Sequence, residues 1–216
     1  MSRLAPFRAL MGDRRGGSAA EFALILPILL IFIFGIIDAG RFMWAQNQQE
    51  KALQAAVRYA VVTDPVAGGL ETYEFAIDPS TPVGQGDPVP ASYWSSSVCT
   101  DASCSCSGSE CGGIGISHDP TAYEEIAKMI CFYYKDDDIT SCPDNANWTM
   151  TVRYDNVGLG FSGDPNGSDI VPLVTVSLTG LQFTPLFFQL FRLGSIPMHD
   201  QSAALTGEDL VGTVSN

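Results

Sequence analysis

Glu21 is the residue near the start of this chain whose chemistry most needs an explanation. It stands at the lip of sixteen uncharged, almost wholly apolar residues, Phe22 to Ile37. An ionised carboxylate beside acyl chains is costly unless paired, so a lone acid in that place is a functional candidate. The other residues able to do chemistry lie far downstream: Cys99, Cys104, Cys106, Cys111, Cys131 and Cys142, the histidines His118 and His199, and the acids Asp136, Asp137 and Asp138. An even cysteine count reads as three disulfides, with fifteen possible connectivities. Cys131 and Cys142 flank a helix end and a short acidic turn, and the other four are close enough to pair among themselves.

A metal centre fits these residues poorly. No Cys-x-x-Cys pair occurs, neither histidine has a finger-like spacing, and the three acids lack the alternating ligands and turn glycine of a calcium hand. Catalysis fits no better: the histidines are isolated, no serine sits in a nucleophile elbow, and the carboxylates are unpatterned. The expectation is a non-enzymatic protein with no cofactor and no metal.

The elements that carry these residues begin with the apolar run. At 1.5 Å per helical residue it covers about 24 Å, slightly short of a hydrocarbon core of about 30 Å. Ala19 and Ala20 before it, and Ala39 and Gly40 beyond Asp38, make up the difference, so the segment can cross a membrane once. Arg3, Arg8, Arg14 and Arg15 precede it, which places the N-terminus in the cytoplasm and the bulk of the chain outside. A cleaved secretory signal is the alternative, with Ile37-Asp38-Ala39 as a poor cleavage site. Against it, the run passes directly into a second helical pattern in which Leu53, Ala56, Val57 and Ala60 form a narrow stripe of mostly small side chains. One helix from about Ser18 to Val62 is expected, with Pro27 as an interruption that membrane helices tolerate.

Asp64-Pro65 and Gly68-Gly69 end that helix. Residues 65–118 are rich in Pro, Gly and Ser and so offer little apolar area to hold them, and the Cys-rich stretch 98–113 reads as a polar surface loop held by covalent links. Asp119-Pro120 supplies a cap and a first-turn proline for a helix whose face is Tyr123, Ile126, Ala127, Ile130 and Tyr134. Met150, Val152 and Tyr154 alternate with polar residues in one strand, and Val174, Val176 and Leu178 do so in a second, an antiparallel pair joined by the turn-rich VGLGFSGDPNGS. Gly158 and Gly160 in that turn are no nucleotide fingerprint. In FTPLFFQLFRL, residues 183–193, Thr184 can cap a short helix opened by Pro185, with packing against the sheet as its ordinary fate and a subunit contact or a dip into a membrane leaflet as the others. QSAAL reads as the last strand.

The fold class is therefore α+β. A leader, 1–16, precedes a transmembrane and extended helix, 17–64, and an exported, disulfide-stapled head with a small antiparallel sheet, 65–216. The net charge of −13 is unevenly spread: residues 60–216 carry four basic residues against twenty acidic ones. With no basic groove outside the leader, nucleic-acid binding is not expected.

Gly16, Gly17 and Ser18-Ala19-Ala20-Glu21-Phe22 resemble the processing site of type IVb prepilins. Within that group GSAAEFALILP, GIIDAGRF and ALQAAVRYAV resemble the TadE-like pseudopilins of the tight-adherence system, and VTVSLTGLQFTPL loosely resembles their closing strand region. The resemblance implies that a membrane aspartyl prepilin peptidase cuts between Gly16 and Gly17. Glu21, followed by the aromatic Phe22, then pairs with the new amino terminus of a neighbouring pilin or pseudopilin subunit. It also implies a single-pass protein of the bacterial inner membrane that joins or primes a surface pilus. The competing expectation is a single-span, disulfide-rich envelope protein whose acidic loops bind a cation or a partner. A generic anchor of that kind has no need of Glu21.

Overall fold

The computed structural model describes residues 17–77, 83–134, 148–165, 167–187, 189 and 194–207. The leader through Gly16, the acids Asp136, Asp137 and Asp138, and Cys142 lie outside them. The chain separates into two compact units, Met1–Met43 with Thr184–Ser195, and Trp44–Phe183 with Ile196–Asn216.

Helix α1 runs over Gly17–Ala60, 44 residues, within two residues of the expected end, and is unbroken through Pro27, Gly35 and Gly40. In the first unit its apolar run is exposed almost all round: Leu24, Ile28 and Phe32 each show more than 65% of their surface. A helix apolar on every side needs an apolar surround. Among the described residues it is the one helix long and apolar enough to cross a membrane. In the second unit the same helix changes character, and Leu53, Ala56, Val57 and Ala60 are buried as the stripe predicts.

The second unit is built on a five-stranded antiparallel sheet. Its strands are β2 (Ser96–Cys99), β3 (Cys104–Ser107), β5 (Thr149–Leu159), β6 (Val171–Thr179) and β9 (Gln201–Thr206), in the order β3-β2-β5-β6-β9. The register sets Met150 opposite Leu178, Val152 opposite Val176 and Tyr154 opposite Val174, six fully buried side chains on one face. Each such aliphatic burial contributes about 1.5–3 kcal/mol. Thr149, Thr151 and Arg153 meet Thr179, Ser177 and Thr175 on the other face, so the alternation written in the sequence is the division between core and solvent.

Helix α3 (Pro120–Tyr134) follows a short turn, α2 (Cys111–Ile114). Asp119 caps α3, its Oδ1 accepting the N–H groups of Thr121 at 2.8 Å and Ala122 at 3.2 Å, with Pro120 at the first position. Ile126, Ala127 and Ile130 are buried, and Tyr123 donates to the Met150 carbonyl of β5 at 2.8 Å. Two small ladders complete the unit: β1 (Ala67–Gly68) with β4 (Ser117–His118), and β7 (Gln182–Phe183) with β8 (Ile196–Pro197).

The structure corrects two expectations. The Cys-rich stretch is not a loop: β2 and β3 form a hairpin at the edge of the sheet, with β2 paired to β5 as well. Its polar composition hid this, because the buried positions are held by Cys99 and by Ser97, whose Oγ accepts the Trp94 indole N–H at 3.0 Å. Nor is the segment from 65 onward poor in core: Val66, Leu70, Phe75 and Trp94 are buried to 1% exposure or less. Their spacing follows neither a helix nor a strand, so no periodic reading finds them. The loop over residues 160–170 is tied to this region by Asp169, whose buried carboxylate accepts N–H groups from Phe75 at 2.6 Å, Gly163 at 2.7 Å and Asp164 at 3.2 Å. Gly160 makes the approach possible: it sits at φ +82°, and a Cβ there would lie 2.7 Å from the Asp169 carbonyl oxygen.

Candidate functional site

Gly17 is the first residue of α1, and the turn it opens brings Glu21 and Phe22 one turn further along, both exposed. No described residue offers the Glu21 carboxylate a hydrogen bond or an ion pair, and a Cβ added at Gly17 would meet nothing within 4 Å. Gly16, the other half of the expected cleavage site, lies outside the described residues.

The far end of the apolar run is arranged differently. Asp38 is 3% exposed. Its Oδ1 accepts the Leu186 N–H at 2.9 Å, its Oδ2 accepts the Phe187 N–H at 3.0 Å, and Arg41 Nη1 lies 3.4 Å away. One turn back, the Phe34 ring stacks on Phe187 with centroids 4.3 Å apart and planes 6° from parallel. This overturns the expected cap: Leu186 and Phe187 stand two and three residues after Thr184, where a capping hydroxyl would bind, but the carboxylate of Asp38 takes both donors. A charged acceptor makes the stronger hydrogen bond. Of the described residues in 183–193, Phe183 belongs to the sheet unit, and Leu186 and Phe187 to the unit that holds the apolar run of α1. Phe188, Leu190, Phe191 and Leu193 lie outside the described residues. The same cost that singled out Glu21, an acid bordering an apolar run, applies to Asp38 and is the signal that was available for it.

Four cysteines are joined as two disulfides, Cys99–Cys104 and Cys106–Cys111, the pairing within the cluster that sequence proximity favours. Cys131 is disulfide-bonded too. Its expected partner, Cys142, is not among the described residues. Cys99–Cys104 lies directly across the β2–β3 pair, and Cys106–Cys111 ties β3 to α2.

A shallow depression of about 200 Å³ opens beside α1 and α3, lined in part by Tyr59, Asp64, Asp119 and Glu125. Its acids are committed. Asp119 caps α3, while Glu125 accepts the Tyr59 hydroxyl at 2.8 Å and pairs with Lys128 at 3.3 Å. The Tyr59 hydrogen bond, with Lys128 adding to it, holds Glu125 below the usual carboxylate range and raises the Tyr59 hydroxyl. Burial pushes Tyr123 up to about 12, and burial likewise raises Tyr154, whose hydroxyl accepts the Val66 N–H at 2.9 Å. These tyrosines are structural. His118 sits on β4 with its Nε2 buried and unpartnered among the described residues, and His199 contributes its carbonyl to Gln49. No three His, Cys, Asp or Glu side chains come together as a metal site among the described residues.

An apolar helix long enough to cross a membrane, with an acid near its start that has no partner among the described residues, continues into a disulfide-bonded α+β unit. Residues 16–58, about a fifth of the chain, match the TadE-like protein family. The match covers Gly16, Gly17, Glu21, Phe22 and Asp38. The looser likeness over 170–206 lies outside it. No curated protein and no solved structure matches the chain.

Proposed function

We propose that this chain is a minor pseudopilin, cut between Gly16 and Gly17 by a prepilin peptidase and then assembled with other pilin or pseudopilin subunits to build or prime a tight-adherence pilus. The observation that carries the proposal is Glu21, an acid at the lip of an apolar helix, inside the TadE-like match and without a partner among the described residues. Cleavage creates a positive amino terminus, and Glu21 of an adjacent subunit supplies the opposite charge in an apolar setting, where the pair is strong and a lone charge is not tolerated. The four leader arginines set the leader in the cytoplasm and residues beyond Asp38 on the exported side of the inner membrane. Oxidised cysteines fit that compartment. The role is one of binding and assembly, not catalysis.

Co-expression with a prepilin peptidase, followed by mass spectrometry of the amino terminus, tests the processing step. The expected product begins at Gly17, sixteen residues shorter than the full chain. A product beginning at Ala39 or Gly40 would establish a secretory signal instead, and an uncut chain would leave a simple anchor.

A further inference from the structure

We infer that Leu186 and Phe187, following the buried Pro185, form a second membrane contact of this chain, a non-helical clip inserted among the acyl chains of the exported leaflet beside α1, with Asp38 as its positioning residue. The inference rests on the reading of α1 as a membrane span. Asp38 is the first charged residue after Phe22–Ile37, with Ala39 and Gly40 completing the span beyond it, and so lies close to the boundary of the hydrocarbon. Phe34 lies four residues deeper, about 6 Å along the helix axis. Phe187 stacks on Phe34, so its ring lies below the boundary near Asp38, and Leu186 beside it is 58% exposed with a side chain suited to lipid.

Irregular backbone enters a membrane only when its polar groups are satisfied within the protein. Here they are. Pro185 has no N–H to satisfy, and the N–H groups of Leu186 and Phe187 are both taken by the Asp38 carboxylate. The carboxylate is satisfied in turn by those two donors and by Arg41. The strands β7 and β8 pair antiparallel, with Phe183 opposite Ile196, so the residues that flank Thr184–Ser195 in sequence lie side by side. Three features of different kinds, a proline without a donor, a two-pronged acceptor and an aromatic stack, thus agree on the same three residues.

The test uses the full chain reconstituted in vesicles of phosphatidylethanolamine and phosphatidylglycerol. The photoreactive residue benzoylphenylalanine replaces Leu186, or Ile28 within the span, or Val157 in the sheet unit. Irradiation is expected to give lipid adducts at 28 and at 186 and none above background at 157. Asp38→Ala should lower the yield at 186 several-fold and leave that at 28 unchanged, and Asp38→Asn, which keeps one good acceptor, should fall between. Lipid adducts at 28 with only background at 186 would overturn the clip while sparing the span. Adducts at 186 to a second protein chain would overturn it in favour of a subunit contact. Absence of lipid adducts at 28 would remove both the clip and the membrane reading beneath it.

Discussion

Glu21 and Asp38 close the two ends of one apolar run, carry the same group, and are treated in opposite ways. Glu21 is exposed, with no partner among the described residues, whereas Asp38 is buried and holds two backbone donors and a guanidinium. An acid already saturated by its own chain has nothing left to offer a neighbour. One without a partner at the edge of an apolar surface gains most from meeting a cation, so under the proposed function Glu21 is the assembly group and Asp38 the positioning group.

The largest expected effect falls at the first of these. Truncating one member of a desolvated charge pair costs about 2–5 kcal/mol, so Glu21→Ala should lower the amount of partner subunit that co-purifies by roughly 30-fold or more. Membrane insertion should be untouched, because removing an acid makes the segment more apolar. Wild-type recovery of partner subunits would erase the distinction between the two ends.

Asp38→Ala is expected to act locally. Two N–H groups lose their acceptor at about 1–3 kcal/mol each, which should appear as faster hydrogen exchange in a peptide covering Leu186 and Phe187, with exchange over β5 and β6 unchanged. Unaltered exchange at 186–187 would mean that the Asp38 contacts do not hold that segment.

Smaller still is the loss of one covalent link. Cys99–Cys104 closes a separation of five residues, for which chain entropy gives about 2 kcal/mol. Replacing both cysteines by serine should lower the unfolding free energy of the head by about that amount and leave subunit association intact. Thiol counting on unreduced, denatured wild-type protein should find none of the six free.

The smallest effect is expected where a carboxylate is partnered in water. Glu125 titrates below its ordinary 4.5 because of the Tyr59 hydrogen bond and then Lys128. A depressed folded value means that the contact stabilises above pH 4.5 and is lost as pH falls through the folded value. Tyr59→Phe should therefore slightly reduce stability at neutral pH and flatten the acid limb, while a shift as large as that of Asp38→Ala would contradict the weak-contact reading.

What the sequence made legible is what depends on near neighbours. The extent of α1, the Asp119-Pro120 start of α3, and the alternation of Met150, Val152 and Tyr154 all follow from residues within a few positions of each other. The partners of Asp38 and Asp169 were not legible because those donors stand 148 and 94 residues away in the chain, at Leu186 and Phe75. The β2–β3 hairpin escaped for another reason: serine and cysteine occupy positions where a pattern search expects aliphatic side chains. Glu21 was readable because it breaks a pattern, a lone charge beside sixteen residues that carry none.

Zero-length carbodiimide cross-linking of the assembled, peptidase-processed protein tests the central claim most directly, since it joins only an amine and a carboxylate already in contact. The account predicts a cross-linked peptide pair with Glu21 on one side and the amino-terminal residue of a neighbouring subunit on the other, absent from Glu21→Gln. Assembled subunits whose amino termini cross-link to any other carboxylate, or to none, would contradict it.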